Sequence, residues 1–464
     1  MAETKPSSAA APVAREFAEW AAALRPADIP DAVVRACADT VVDTLGLCYA
    51  ARDTDYVRAL RAAWPGQGEC LVFGTGSRRD PASAAMINGT AAHGEDFDNT
   101  FEGCPVHSGT VVVPAVLAAA EAEGLSGAQA LKGMAVGLEV MCRLGLAAQK
   151  GVHTAGFHPT AVLGAMGATA AVAAAADLTP RQATDALGIA GSMASGIIEY
   201  LADGSWTKRM HAGWAAQSGL RASAMGRAGF TGPATVFEGR HGLFHGFAPT
   251  VPCDVSVLTG ELGTRWDAAR VAFKPYACGT MAQPFVDCAV RLGRAGIAPD
   301  EVVEMVCEVG EGTVHRLWEP LALKQAPPTP YAAKFSTPYC IAVGFLRGDA
   351  GLAEYDDALI RDPAVLALAG RVRYEIDPAD EYPRNYTGHI RVRLRDGRVV
   401  EERQPHLRGG ARDPLTREQL VAKCRANLRH GGVAEGLART IEQMADALRD
   451  DHRPLALAAL EVGD

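Results

Sequence analysis

The chain has 464 residues, too many for one ordinary hydrophobic core, and a length prior divides it into two or three domains. Nearly half the residues are apolar (48%) and about a fifth are charged (21%), a globular balance that excludes wholesale disorder. The formal charge of -9 excludes the generally basic surface that nucleic-acid phosphates require, so an anionic ligand would have to be met by a local cluster of cations.

The 11 cysteines are spread from Cys37 to Cys424 without a Cys-x-x-Cys pair, which argues against structural zinc and iron–sulfur clusters. Their odd number, together with an N-terminus that does not read as a signal peptide, predicts reduced, mostly core thiols in a cytoplasmic protein. The most apolar run, Thr160 to Leu178, is rich in alanine and includes Asp177. It reads as a helix buried in protein, not as a membrane span.

In chain order, residues 1–12 are poor in bulky side chains and are expected to be disordered. Residues 13–265 read as helix after helix. Ser126-Gly-Ala-Gln129 and Thr179-Pro-Arg-Gln182 both match a capping box, and Gly124 and Gly151 supply stops. Ala and Gly dominate 160–176 and 183–198, which permits close helix–helix approach. Residues 266–405 change character. Val302–Val309 and Val372–Asp377 alternate with period two, and Ile390–Leu394 and Arg398–Glu401 flank an Arg-Asp-Gly hairpin signal. With helices expected at 281–294, 330–347 and 363–370, this part reads as α+β with an antiparallel sheet. Residues 406–464 carry two further helices, near 416–430 and 434–449, which are expected to return to the helical domain. The fold class is therefore mainly α, with a large all-helical domain and a smaller α+β domain.

Three polar stretches stand out in the helical part. In Asn88–Thr100, a continued helix would put His93, Asp96 and Thr100 on one face, with Glu95 and Asp98 turned away. No His-Glu-x-x-His spacing is present, so no metal site is expected. In Gly151–Thr160, Pro159 suits the first position of a helix, which puts His158 at an N-terminus that attracts anions and lowers an imidazole pKa. In Asp203–Trp214, Lys208 and Arg209 beside His211 suggest an anion clamp, with Lys208 as a compact point charge. In the α+β part, Lys274 and Lys334 each stand among aromatics and could close over such a site.

These stretches, in order along roughly 15–450, resemble the MmgE/PrpD family. The motifs are Asn-Gly-Thr-Ala-Ala-His-x-x-Asp-Phe-Asp-x-Thr at 88–100, Gly-Phe-His-Pro-Thr at 156–160 and Thr-Lys-Arg-Met-His-Ala-Gly-Trp at 207–214. Ala-Leu-Gly-Ile-Ala-Gly-Ser at 186–192, Gly-Phe-Thr-Gly-Pro at 229–233, Lys-Pro-Tyr-Ala-Cys-Gly at 274–279 and Ala-Lys-Phe-Ser at 333–336 complete them. The resemblance implies a homodimer that needs no cofactor, with a helical domain, an α+β lid and the active site between them. It implies site positions at Asp96, Thr100, His107, His158 and Lys208, with Lys274 from the lid. Family reactions include dehydration of 2-methylcitrate, decarboxylation of cis-aconitate and epimerisation of iminodisuccinate. The sequence departs from the pattern at His107-Ser108, where relatives have His-Pro, and in a longer loop over 101–106. A lid histidine of the decarboxylase falls on Gly279, and a later histidine of other relatives is Gln283.

All these reactions hold electrons at a carbon beside a carboxylate, a state that preorganised cations stabilise more than the ground state. Lys208, Lys274 and the helix N-terminus at Pro159 are expected to bind the carboxylates of a small di- or tricarboxylate. His158, or His107 in its place, would move the carbon-bound proton. Asp96 would orient a histidine or hold a hydroxyl, and Thr100 would donate a hydrogen bond. The leading expectation is a hydro-lyase of the 2-methylcitrate dehydratase type, with an epimerase or a decarboxylase as alternatives. A non-catalytic binding protein is the reading from another class, and the intact His107, His158 and Lys208 argue against it. No nucleic-acid or membrane partner is expected.

Overall fold

The computed structural model describes residues 11–251 and 254–463. The expected disorder over 1–12 falls, for residues 1–10, outside the described residues, and Pro12 caps the first helix. The longer helices are α1 (Val13–Ala23), α2 (Asp31–Ala50), α3 (Pro81–His93), α4 (Gly109–Glu123), α5 (Gly127–Ala148), α6 (Pro159–Ala175), α7 (Pro180–Gly191) and α8 (Thr207–Arg227). Both expected capping boxes form, at Ser126/Gln129 and Thr179/Gln182. Gly124 ends α4 in the left-handed conformation, φ 65°, where a side chain would be strained. Gly151, expected as a stop, instead opens a four-residue turn of helix after α5 has already ended at Ala148.

Small residues determine how these helices meet. Every residue of α6 is buried, as the alanine-rich composition demands, and α6 packs on α4, α5, α7 and α8. Among the described residues no helix is long and apolar enough to cross a membrane. The α3–α8 crossing is the tightest that bears on function: a Cβ on Gly89 would lie 2.7 Å from the Gly213 Cα, and one on Gly213 would lie 2.0 Å from the Met86 carbonyl oxygen. One turn beyond Gly89 stands His93, and about one turn before Gly213 stand Lys208 and Arg209. The glycine contact therefore brings an imidazole and two cations from distant parts of the sequence to one place.

A two-residue antiparallel ladder joins the helical part to the α+β part. Strand β1 (Thr100–Phe101) pairs with β2 (Val271–Ala272), with Thr100 opposite Ala272, and two residues later the chain reaches Lys274. Beyond it lie α9 (Gln283–Arg294) and α10 (Thr337–Arg347), packed together. The sheet consists of β3 (Val302–Val309), β4 (Val372–Ile376), β5 (Gly388–Leu394) and β6 (Val399–Gln404), in the order β4-β3-β5-β6. The hairpin at Asp396-Gly397 forms as its signal predicts, with Gly397 at φ 88°. Two ladders are antiparallel, and β3–β4 is parallel, which the long helical connection between those strands allows. The mainly α fold with a smaller α+β part is thus present, and its sheet is mixed.

The C-terminal helices α11 (Arg417–His430) and α12 (Leu437–Ala447) pack on α2. Lys423 on α11 forms a buried ion pair with Asp43 at 2.6 Å, and the Tyr49 hydroxyl donates to the Leu460 carbonyl at 2.5 Å.

Candidate active site

Helix α3 stops at His93, and Gly94 closes it. Asp96 then takes a positive φ of 54°, and Thr100 enters strand β1. The shared helical face expected for His93, Asp96 and Thr100 is therefore absent, because the helix ends before it could include the last two. The sharp loop instead sends Asp96 and Asp98 to two neighbouring places, and both carboxylates are buried.

Asp96 meets cations. Its Oδ1 pairs with the Lys208 ammonium and its Oδ2 accepts from the Tyr331 hydroxyl at 2.8 Å, while its carbonyl accepts from Lys274 at 2.7 Å. Burial pushes the Asp96 carboxyl up, but Lys208 and Lys274 outweigh it and hold the group well below the usual carboxylate range. Lys208 stands in the first turn of α8, where the helix dipole disfavours a cation, so Asp96 opposite it compensates. Arg209 lies between the Tyr56 and Tyr331 rings, 4.5 and 4.4 Å from their centroids. Lys274 is 3% exposed and, among the described residues, has no carboxylate within ion-pair distance. Burial lowers its proton affinity and the nearby Asp96 and Asp98 partly restore it.

The backbone of this loop is held from three sides. Lys334 donates to the Glu95 carbonyl at 2.8 Å and also pairs with the Glu95 carboxylate. Lys274 takes the Asp96 carbonyl, and Lys423 takes the Phe97 carbonyl at 2.6 Å. Three consecutive carbonyls are thus capped by ammonium groups from three separate segments. Desolvating so many charges is expensive, and such an arrangement, together with shifted titrations, points to a functional site.

Asp98 meets imidazoles. Its Oδ2 lies 2.7 Å from His93 Nδ1 and 3.2 Å from His107 Nδ1, and it accepts from the Thr110 hydroxyl at 3.2 Å. The His93 ring stacks on His158 at 5.6 Å, and the His107 and His158 rings are 6.4 Å apart. His158 caps α6 as expected, its backbone N–H donates to Gly196, and its Nδ1 lies 3.2 Å from His211 Nδ1. Its pKa is held well below the ordinary histidine value by burial first, then by the neighbouring His93, His211 and Lys208. His211 is pushed down to about 4 by burial, His93 and Lys208. The lowering of the His158 pKa thus comes from burial and its polar neighbours, where the sequence pointed to the helix N-terminus.

His93, Asp98 and His107 each offer a ligand atom, all within 4.8 Å of one another, a spacing that a metal ion could span. Protons account for the contacts instead: His107 Nδ1 also meets the Asn99 carbonyl at 2.9 Å, and a carbonyl facing a ring nitrogen requires N–H there.

Asp96, His107, His158, Lys208 and Lys274 thus converge. Thr100 is buried beside them in β1, and among the described residues no hydrogen bond joins its side chain to the cluster. Gly279 donates its N–H to the Lys334 carbonyl, and Gln283 is consumed by the loop before it: its amide donates to the Tyr276 and Cys278 carbonyls and accepts from the Tyr276 N–H. Neither supplies an acid or base. Sequence reasoning turned Asp98 away, set His93 and His211 beside site residues without a chemical role, and passed over Tyr331. His93 and Asp98 stood inside the 88–100 motif, whereas nothing local marks Tyr331.

A helical domain followed by an α+β part, with histidines, carboxylates and lysines at their junction, defines the class. Residues 15–255 match the MmgE/PrpD N-terminal domain and residues 276–450 the MmgE/PrpD C-terminal domain, so the chain belongs to the MmgE/PrpD family. Among curated proteins it is 27% identical over 450 residues to a cis-aconitate decarboxylase of Aspergillus terreus, covering 90% of each chain. It is 26% identical to the cis-aconitate decarboxylases of Mus musculus and Homo sapiens, covering 94% of this chain and 91% and 92% of theirs.

Proposed function

We propose that the chain is a lyase that acts without a cofactor on a small tricarboxylate, through a carbanion held beside a carboxylate. The observation that carries this reading is Lys274, a buried ammonium with no carboxylate of its own among the described residues, near the His107 imidazole. Lys274 and Lys208 meet substrate carboxylates and stabilise the extra negative charge that develops on oxygen in the transition state. Asp96 releases Lys208 to the substrate and, with Tyr331, balances the charge left behind. His107 removes the carbon-bound proton and the neutral His158 assists it, with Thr100 as a hydrogen-bond donor.

The reaction we assign first is loss of water from a 2-methylcitrate-like substrate. Gly279 has no side chain and Gln283 is committed to its own loop, so neither position adds an imidazole to those of the helical part. Decarboxylation of cis-aconitate is the second reading, supported by the names of the relatives. The test incubates the enzyme with 2-methylcitrate, citrate and cis-aconitate in deuterated water. Alkene formation seen in the ultraviolet supports the first reading, and carbon dioxide release the second. Deuterium exchange alone identifies an isomerase or epimerase, and binding without turnover overturns the assignment as an enzyme.

We also propose a homodimer. Ile197, Leu201, Trp206, Trp214 and Phe230 leave large apolar side chains exposed within a short stretch of the helical part, and sedimentation of the full chain tests the proposal. The ten described cysteines, all buried and free, fit a reducing, cytoplasmic setting.

A further inference from the structure

Asp98 is 0% exposed and cannot reach a substrate directly, yet three polar groups converge on its Oδ2. A carboxylate only accepts hydrogen bonds, so the His93 Nδ1 at 2.7 Å must carry a proton. The His107 Nδ1 stands between two acceptors, Asp98 at 3.2 Å and the Asn99 carbonyl at 2.9 Å, and must carry one too. With that proton alone, each ring keeps its lone pair on Nε2, on the side away from Asp98. The two rings differ in reach: the His93 side chain is 0% exposed and the His107 side chain 10%. The His93 Nε2 is buried without a hydrogen-bond partner among the described residues, and the ring lies against His107 and His158.

We propose that Asp98 is a positioning residue shared by two imidazoles. It fixes His107 as the tautomer whose Nε2 faces the substrate, and it locks His93 as the wall against which His107 and His158 rest. This rests on the reading of His107 as the proton-transfer group. The charges around the device agree with it. Behind Asp98 stand Asp43 and its partner Lys423, and His107 faces Asp98, His93, His158 and Lys274. Burial lowers the proton affinity of His107 and Asp98 opposes that fall, so removing the Asp98 charge leaves burial and Lys274 to lower it further. Proton transfer from carbon to Nε2 needs a free lone pair there. A ring that has moved its proton to Nε2 cannot accept another.

The test uses the full chain with isotope-labelled histidine, whose ring-nitrogen shifts distinguish the two tautomers, with His93→Gln and His107→Gln for assignment. Wild type is expected to show both residues with the proton on Nδ1. Asp98→Asn, nearly the same shape, is expected to move the His107 titration and the acid limb of kcat/KM to lower pH together. It should also lower kcat by at least about 10²-fold, the scale of one acid–base contribution, with a smaller change in KM. The inference is overturned by a wild-type His107 with its proton on Nε2, or by an Asp98→Asn enzyme within about threefold in kcat and unmoved in pH profile. If Asp98→Asn does not fold, the wild-type His93 decides, because among the described residues Asp98 is the acceptor its Nδ1 meets: a proton on Nδ1 supports the inference and one on Nε2 overturns it. A protein inactive on every tricarboxylate defeats the proposed function and leaves the tautomer arm intact, whereas an active one with the other tautomer defeats only this inference.

Discussion

The residues that Pro81–His93 and Thr207–Arg227 bring to the site stand on or just beyond helices locked by glycine contacts, whereas Lys274, Tyr331 and Lys334 stand in loops and single turns of the 266–405 part. The first group supplies His93 and His211, the carboxylates of Asp96 and Asp98, and one ammonium group, Lys208. The second supplies two further ammonium groups and a phenol that reach across to that loop's carboxylates and carbonyls. Proton transfer depends on geometry to fractions of an ångström, and rigid helices provide that. Charge neutralisation tolerates more play, so it can be left to loops and single turns.

That division can be broken most directly at His107. His107→Gln is expected to lower kcat by about 10²–10⁴-fold while the protein stays folded, measured by initial rates and circular dichroism. Lys274→Met tests the other side: kcat/KM should fall by about 10²–10³-fold, the range for removal of one stabilising group from a developing anion. If Lys274→Met leaves kcat/KM unchanged, this cation has no part in the chemistry.

The helical scaffold is probed at Gly89. A Gly89→Ala methyl would meet the Gly213 backbone, so the helices must separate, with an expected loss of about 1–3 kcal/mol read as a lower denaturant midpoint. Activity should fall with it, since the same crossing sets the distance from His93 to Lys208.

Acid titration separates the two kinds of group. The folded-state pKa of His211 is depressed from 6.5 to about 4, so the unfolded chain binds the extra proton between those values and stability falls as the pH drops through that window. The depressed Asp96 and Asp98 act lower, with their contribution lost only as the pH falls below the ordinary carboxylate range. His211→Gln should flatten the upper part of the melting-temperature profile and leave the lower part. The smallest effect is expected at Gly279, where φ is ordinary and an added Cβ meets nothing closer than 3.4 Å. Gly279→Ala should change stability by less than about 0.5 kcal/mol.

The helical domain, its caps and the hairpin were legible in the sequence because they are written locally: Ser126 and Thr179 with their glutamines, Pro159 before an alanine run, Asp396-Gly397 between alternating strands. His158, Lys208 and Asp96 stood out for a similar reason, as charges in stretches that are otherwise small and apolar. The 94–100 loop was not legible. Its direction depends on Gly94 ending the helix and on Asp96 taking a left-handed conformation, and both are held by Lys274, Lys334 and Lys423 from far along the chain. Without those partners the motif reads as more helix, which is why Asp98 was turned away from the histidines that it joins. The parallel β3–β4 pairing was hidden too, since alternation marks a strand but not its neighbour.

The capping of three successive carbonyls by primary amines has a practical consequence for watching the enzyme work. Lys274 and Lys334 are 3% and 2% exposed, so an amine-acylating reagent would reach them only if the 266–405 part moved aside. The rate at which they are labelled, with and without substrate, is therefore a clock for opening that needs no chromogenic assay. A bound tricarboxylate should slow that clock.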